Sequence, residues 1–186
     1  MAFLSLKEMK KLEQQSSRLI ILSETVETGP FDIFLSHSYK DKVPIRGVAK
    51  WLMELKYTVY VDWINDKELN RSRVNADTAR RLQERMRNCR SLLFATTENS
   101  SNSKWMPWEL GFMDGITAGR VAILPVTDAP TFDGQEYLGM YPYVDQCEAE
   151  QTSKEELWVN QGRKYVSLKK WLQGKDPYDH SREKHC

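Results

Sequence analysis

The sequence predicts an α/β protein in which a central parallel sheet is covered by helices on both faces. Four short apolar runs are nearly continuous in hydrophobicity, which is typical of strands buried on both faces. Segments of helical length lie between these runs, and such alternation favours a parallel sheet. The predicted strands are Phe31–Leu35, Tyr57–Val61, Ser91–Thr96 and Val121–Val126.

Segments of helical length lie between the predicted strands, and two of them have apolar residues at the spacing of one helix face. Such spacing indicates amphipathic helices. The predicted apolar faces are Val48, Trp51, Leu52 and Leu55, then Ala79, Leu82, Met86 and Cys89; a third helical segment, Trp108–Ala118, carries Leu110, Phe112, Met113 and Ile116.

The ends of the chain are less regular. Residues 1–30 are predicted to form a helical extension and linker, residues 31–175 the main domain, and residues 176–186 a C-terminal tail. Residues 127–164 are rich in Pro, Gly, Asp and Glu and are expected to form an extended loop. Two alternatives remain for the next segment: a fifth strand at Tyr165–Leu168, or the start of a closing helix at Val166–Leu172.

Composition excludes several classes of protein. The chain has 186 residues, 40% of them hydrophobic, so it can bury the core of one domain. Its net charge is +1, which provides no overall attraction to nucleic acid or to a membrane. Its three cysteines are too widely spaced to suggest a zinc site. No apolar run approaches the ~18 residues that span a bilayer, and no signal peptide is evident, so we expect a cytoplasmic protein.

The carboxyl ends of the predicted strands direct attention to a site. In an open parallel sheet, ligands bind beyond these ends, at the point where the strand order reverses. The first strand is followed by Ser36 and His37, and the second by Asp62 and Trp63. The loop after the third strand leads to the segment 103–109. We therefore expect these segments to meet at one edge of the sheet.

Glu109 is the strongest catalytic candidate among these residues. Pro107 fits the first turn of a helix, which places Glu109 within the first turn or so, where the helix dipole favours a carboxylate. Trp105 lies four residues earlier and therefore on the same face. An indole beside a carboxylate can bind a flat cationic ring and stabilise a cationic sugar. The alternative is structural, since a first-turn glutamate is usually a dipole partner and a tryptophan usually belongs to the core.

The remaining candidates also have structural alternatives. His37 and Asp62 could be hydrogen-bonded structural residues, and Ser36 lacks the G-x-S-x-G motif of a nucleophile. Arg71 and Arg73 lie in a predicted loop, where they could bind phosphate. Neither a Walker motif nor G-x-G-x-x-G is present. We expect a solvated helix face for the other arginines, which are Arg80, Arg81, Arg85, Arg87 and Arg90.

Four segments, in this order and spacing, resemble those of TIR domains. They are Phe31–Ser38 followed by Lys40-Asp41-Lys42, then Tyr60-Val61-Asp62, then Ser91–Thr96 with Asn99 and Ser100, and finally Ser103–Gly111. The size and later segments are similar to bacterial stand-alone TIR proteins of antiphage defence, such as the TIR component of Thoeris systems. One departure is the loop Asn65–Asn75, which lacks the proline-glycine pair of many TIR adaptors.

This resemblance implies a flavodoxin-like three-layer fold with a central parallel sheet of four to five strands. It also implies that Glu109 is catalytic in cleaving the nicotinamide–ribose bond of NAD, which is the substrate; no cofactor or metal is expected. Trp105 would stack on nicotinamide, Arg71 or Arg73 would reach the diphosphate, and the pocket would be lined by Ser36, His37, Asp62 and Trp63.

The implied products are nicotinamide with ADP-ribose or a cyclic isomer, serving as a nucleotide signal that activates a separate effector in antiphage defence. A homo-oligomer is expected through the TIR domain. Two alternatives remain open: a non-enzymatic TIR interaction module, and an enzyme resembling nucleoside deoxyribosyltransferases.

Overall fold

The alternation of strands and helices is present in a computed structural model that describes residues 3–14, 30–65, 75–129, 136–149, 154–178 and 184–185. The helices are α1 (Leu6–Gln14), α2 (Lys42–Glu54), α3 (Asp62–Asn65), α4 (Ala76–Arg87), α5 (Trp105–Ile116) and α6 (Leu168–Leu172). The strands are β1 (Phe31–Ser36), β2 (Val59–Tyr60), β3 (Cys89–Thr96), β4 (Val121–Pro125), β5 (Tyr143–Ala149), β6 (Lys154–Gln161), β7 (Lys164–Ser167) and β8 (Lys184–His185).

The strands form one mixed sheet in the order β2-β1-β3-β4-β5-β6-β7, with β8 paired to β5. The pairs from β2 to β5 are parallel, and β6 and β7 are added antiparallel. The parallel part therefore has the flavodoxin-like order 2-1-3-4-5, in which the strand order reverses between β1 and β3. This confirms the predicted fold class.

The prediction of an extended loop over residues 127–164 was wrong. This range contains all of β5 and β6, which pair over seven positions from Tyr143↔Asn160 to Ala149↔Lys154. Antiparallel strands can leave one face in water, so their sequences alternate between apolar and polar residues. The search for continuous apolar runs therefore missed YVDQCEA and KEELWVNQ.

The segment after β6 resolves the two alternatives that the sequence left open, because both occur in succession. The strand β7 ends at Ser167, and α6 begins at Leu168. The Ser167 side chain caps this helix by accepting a hydrogen bond from the Lys170 backbone N–H at 3.4 Å.

Two apolar layers cover the two faces of the sheet. Ile33 of β1 lies in the layer that includes α2 and α6, whereas Phe34 lies in the layer that includes α4 and α5. The three-layer architecture follows from this alternation. Cys89 departs from its predicted place on a helix, because α4 ends at Arg87 and Cys89 begins β3.

Helix α1 packs on the outside of α2 and is tied to the end of β4. Gly47 of α2 permits this approach, since a Cβ at that position would lie 1.9 Å from the Met9 carbonyl oxygen. At the start of α1, the Ser5 hydroxyl donates to Asp128 Oδ1 at 2.7 Å. This hydrogen bond is the main cause of a lowered pKa of Asp128. Leu4 also forms an isolated parallel bridge with Val126.

Within the described ranges, no helix has the length and apolar character needed to cross a membrane.

Candidate active site

Glu109 lies on α5, and its position follows from the local sequence. Trp105 is the first residue of α5 and Pro107 the third, where proline's missing N–H leaves no helical hydrogen bond unmade. The Met106 N–H instead donates to the Ser103 hydroxyl at 3.3 Å. Glu109 is the fifth residue of α5, so it lies just beyond the first turn.

The Glu109 carboxylate points to the carboxyl end of β1. The Ser36 hydroxyl donates to Glu109 Oε2 at 2.6 Å, and both side chains are 0% exposed. A short hydrogen bond to an ionic acceptor is among the stronger ones. This pair thus joins two predicted site residues and fixes one carboxylate oxygen at the point where the strand order reverses.

His37, the next residue, forms a second polar group with Asp62 and Trp63. Its Nδ1 lies 2.8 Å from the Leu35 carbonyl oxygen, and the Trp63 indole N–H donates to its Nε2 at 2.7 Å. An indole nitrogen can only donate, so Nε2 accepts and Nδ1–H donates to Leu35. This assigns the neutral tautomer, and the 3.4 Å approach of Asp62 Oδ1 to Nε2 is then a polar contact rather than an ion pair.

A third group of polar side chains joins the loops after β1 and β3. The sequence analysis did not select these residues as candidates for the site. The buried Asp41 carboxylate accepts from the Thr97 hydroxyl at 2.5 Å and from the Asn99 side-chain amide at 2.6 Å. Asn99 also donates its backbone N–H to the Thr97 hydroxyl oxygen at 3.1 Å. Asp41 and Asn99 stood within the segments of the resemblance, but their pairing depends on the meeting of two loops.

Trp105 is half-buried at the start of α5. Its ring is edge-on to Trp108, with 5.5 Å between centroids, and Trp108 stacks on Phe112 at 5.9 Å. A cavity of about 450 Å³ lies between the first turns of α4 and α5. The cavity is lined by Asn75, Ala76, Ala79, Lys104, Trp105 and Trp108.

Cations also lie near the polar group formed by His37, Asp62 and Trp63. Arg46 lies over the Trp63 ring at 4.9 Å, and Lys42 lies 4.0 Å from the centroid of the exposed Tyr39 ring. Sequence reasoning did not select Lys42 and Arg46, because the predicted helix face began at Val48; in the structure α2 begins at Lys42, and their i, i+4 spacing gives them a shared face.

The arginines of the sequence analysis fall into two sets. Arg71 and Arg73 lie outside the described residues, so their proposed contact with phosphate stays a prediction. The others are exposed. Arg80, Arg81, Arg85 and Arg87 lie on α4, as predicted for a solvated helix face, whereas Arg90 lies on β3, so its predicted place on a helix was wrong.

The flavodoxin-like sheet with a buried carboxylate at its switch point is the arrangement expected of a TIR domain. A comparison with known families gives the same result. Residues 33–173 match the family model of the TIR domain, and the chain belongs to this family. It is 50% identical over 147 residues to "Probable 3' cyclic ADP-D-ribose synthase ThsB'" of Bacillus cereus (strain MSX-D12), covering 77% of this chain and 76% of that protein.

A second relative is "Putative cyclic ADP-D-ribose synthase TIR2" of Cytobacillus dafuensis. It is 35% identical over 83 residues, which are 44% of this chain and 22% of that protein. Both relatives thus have names that describe synthesis of a cyclic ADP-ribose.

Proposed function

We propose that this TIR-domain protein is an enzyme that cleaves the nicotinamide–ribose bond of NAD. The observation that supports it most is the buried hydrogen bond between Ser36 and Glu109, which orients a carboxylate at the switch point of the sheet, on the same helix as Trp105. The two relatives named as cyclic ADP-D-ribose synthases support the same reaction.

The chemistry of the bond explains why one carboxylate is central. When the bond breaks, its electron pair goes to the nicotinamide nitrogen, which changes from cationic to neutral and needs no general acid. The ribose carbon C1″ becomes electron-deficient in the transition state. Glu109, held in place before the reaction, stabilises that positive charge without reorganising.

The other residues of the site would bind the substrate or orient the Glu109 carboxylate. Trp105 lies on the same face of α5 as Glu109, so its indole can stack on the nicotinamide ring. The Ser36 hydroxyl orients the carboxylate. The Trp63 indole N–H donates to His37, and Asp62 lies 3.4 Å from the same ring nitrogen; these three residues would line the ribose pocket beyond β1. Glu109 is fully buried, so substrate entry requires surrounding side chains to move.

The proposed products are nicotinamide and a cyclic ADP-ribose, with linear ADP-ribose from competing capture by water. In cyclisation, a hydroxyl oxygen of the same molecule forms a bond to C1″ and releases its proton to solvent. A closed, water-poor site favours this intramolecular capture. The cyclic nucleotide would serve as a signal in antiphage defence that activates a separate effector, and the TIR domain would assemble as a homo-oligomer.

Replacing Glu109 tests the reaction directly. Glu109→Gln keeps the shape of the side chain but removes its charge, so kcat for NAD should fall by about 10²–10³ or more. Glu84→Gln is the matched control, because Glu84 is exposed on α4 and should retain full activity. Chromatography at high protein concentration separates nicotinamide, linear ADP-ribose and cyclic isomers.

Two results would contradict this function. Equal NAD consumption by wild type and Glu109→Gln would show that Glu109 does not have the proposed catalytic role. No NAD consumption by the folded wild type, even at concentrations that favour assembly, would point to a non-enzymatic interaction module; cleavage of nucleosides with NAD left intact would point to a deoxyribosyltransferase-like enzyme.

A further inference from the structure

Asp41 is a buried carboxylate that the proposed reaction does not use. It is 5% exposed, and it occupies the N-cap position of α2. An aspartate there usually accepts hydrogen bonds from the first N–H groups of its own helix. Among the described residues, however, its side chain makes no such capping bond. Its two carboxylate oxygens instead bind Thr97 and Asn99 in the loop after β3, which lie 56 and 58 positions further along the chain.

The loop after β3 connects this contact with α5. The Thr97 hydroxyl donates to Asp41, the Thr97 N–H donates to the Ser100 hydroxyl oxygen at 3.3 Å, and the Ser100 hydroxyl donates to the Thr97 carbonyl oxygen at 2.7 Å. The Ser103 N–H donates to the Ser100 carbonyl oxygen at 3.1 Å, and the Ser103 hydroxyl accepts from the Met106 N–H of α5. A series of hydrogen bonds thus leads from the Asp41 carboxylate to the first turn of α5.

Asp41 also belongs to the loop that follows β1. The pairing of β1 with β3 ends at Ser36↔Phe94, so beyond this point the ladder no longer joins the two chains. Asp41 ends a 3₁₀ turn in which its backbone N–H donates to the Ser38 carbonyl oxygen at 3.0 Å, and its side chain reaches across to the other loop. The contact made by Asp41 therefore continues the connection between the two chains beyond the last pair of the ladder.

We propose that Asp41 is a positioning residue for the cleavage of NAD, because it holds the loop that carries Ser36 against the segment that leads to Glu109. This inference rests on the proposed function. Ser36 and Glu109 come from these two segments and meet in a hydrogen bond of 2.6 Å. Such a bond weakens when either partner is displaced. The two hydrogen bonds of the Asp41 carboxylate are charge-assisted, and they oppose that displacement.

A role in positioning affects the rate of the reaction more than the binding of NAD. Glu109 stabilises the transition state only if its carboxylate is oriented before the reaction. A displacement of about 1 Å, caused by a change far from the chemistry, can lower a rate about 100-fold. Because Asp41 acts on Glu109 through Ser36, the effect of removing Asp41 should also depend on the presence of Ser36.

Steady-state kinetics of Asp41→Ala test this role. Its kcat for NAD should be lower than that of the wild type by about 10- to 100-fold, while KM changes little. Asp32→Ala is the matched control. The Asp32 carboxylate also joins two segments, since it accepts from the backbone N–H and the hydroxyl of Thr58 at 3.0 and 2.9 Å, but Asp32 lies at the amino end of β1. Both variants should lose stability to urea, whereas kcat should fall in Asp41→Ala alone.

A double-mutant cycle with Ser36→Ala tests whether Asp41 acts through Ser36. Once Ser36→Ala has removed the hydrogen bond to Glu109, adding Asp41→Ala should lower kcat further by only about threefold or less, because changes that act on one contact are not additive. Fully additive losses would overturn the proposal. A wild-type kcat in Asp41→Ala, or an equal loss of kcat in Asp32→Ala, would also overturn it.

An exchange of the two side chains provides a second test that does not depend on the folding of Asp41→Ala. Asn99→Asp alone places two carboxylates in contact, and their repulsion should lower kcat. Adding Asp41→Asn restores one carboxylate and one amide in exchanged positions, so kcat should return to within about threefold of the wild type. A double variant that is no faster than Asn99→Asp would contradict the role of this contact.

The failure of this proposal can be told apart from the failure of the proposed function. A folded wild type that leaves NAD intact would reject the proposed reaction and, with it, the role of Asp41. NAD cleavage that requires Glu109 but is equally fast in Asp41→Ala would reject the role of Asp41 alone.

Discussion

At the scale of single residues, the hydroxyl of Ser36 acts on Glu109 by orienting one of its carboxylate oxygens. The two groups meet at 2.6 Å in a fully buried setting. A hydrogen bond to a charged group in such a setting is worth more than one between neutral groups. Ser36 is therefore a positioning residue, and its removal should affect the reaction more than the binding of NAD.

We predict that Ser36→Ala lowers kcat for NAD by about 10- to 100-fold and changes KM little, because the loss corresponds to about 1.5–3 kcal/mol of hydrogen bonding. Ser91→Ala is a matched control. Ser91 is equally buried on β3, but its hydroxyl donates to the Asp32 carbonyl oxygen at 2.7 Å, away from the site.

Both serine variants should lose some stability to urea, whereas kcat should fall in Ser36→Ala alone. Steady-state kinetics and urea unfolding of the same samples check both expectations. An unchanged kcat in Ser36→Ala would mean that Glu109 does not need this hydrogen bond.

At the scale of elements, the packing of α1 on α2 depends on a glycine. Because a Cβ at Gly47 would lie 1.9 Å from the Met9 carbonyl oxygen, a larger residue must push the two helices apart. The contact is with backbone, so no side-chain rotation can relieve it.

We predict that Gly47→Ala destabilises the protein by about 1–3 kcal/mol, the usual cost of overpacking. Gly111→Ala is the control, because Gly111 is exposed on α5 and a Cβ there meets nothing within 4 Å. That change should be neutral or should stabilise by up to about 1 kcal/mol, since alanine is the better helix former. Urea unfolding measures both, and equal midpoints for the two variants would contradict the close approach.

At the scale of the whole molecule, the buried Cys89 and the half-buried Tyr57 link stability to alkaline pH. Burial raises the pKa of the Cys89 thiol from 9.0 to about 12. Burial is also the main cause that raises the pKa of Tyr57 from 10.0 to about 12, with smaller contributions from Glu156 and Asp32. Between the ordinary pKa of each group and its raised pKa of about 12, the folded state keeps a proton that the unfolded state loses.

Stability should therefore be complete below pH 9 and decrease as the pH rises towards 12, because the unfolded state binds fewer protons there. Urea midpoints at pH 8 and at pH 10.5 measure this slope. Tyr57→Phe combined with Cys89→Ala should flatten it, while the change between pH 6 and pH 8 should match that of the wild type. An equally steep alkaline slope in the double variant would show that other groups are responsible.

Local patterns of the sequence determined the parallel core and the position of its site. Continuous apolar runs identify strands buried on both faces, and the chain order of these runs implies where their carboxyl ends meet. The place of Trp105 and Glu109 on one helix could also be predicted, and i, i+4 neighbours share a helix face whatever the rest of the molecule does. The hairpin of β5 and β6 could not be found in this way, because polar residues such as Asp145 and Asn160 interrupt its apolar pattern although both are buried.

Contacts between distant segments were decided by the tertiary structure alone. Ser36 and Glu109 are separated by 73 positions, and Asp41 and Asn99 by 58. The donor that sets the tautomer of His37 likewise comes from another element, α3. Such hydrogen bonds depend on strand order, register and loop approach, which arise from packing both faces of the sheet at once. The sequence by itself determined which chemical groups were available at the switch point, and the folded structure decided which of them are in contact.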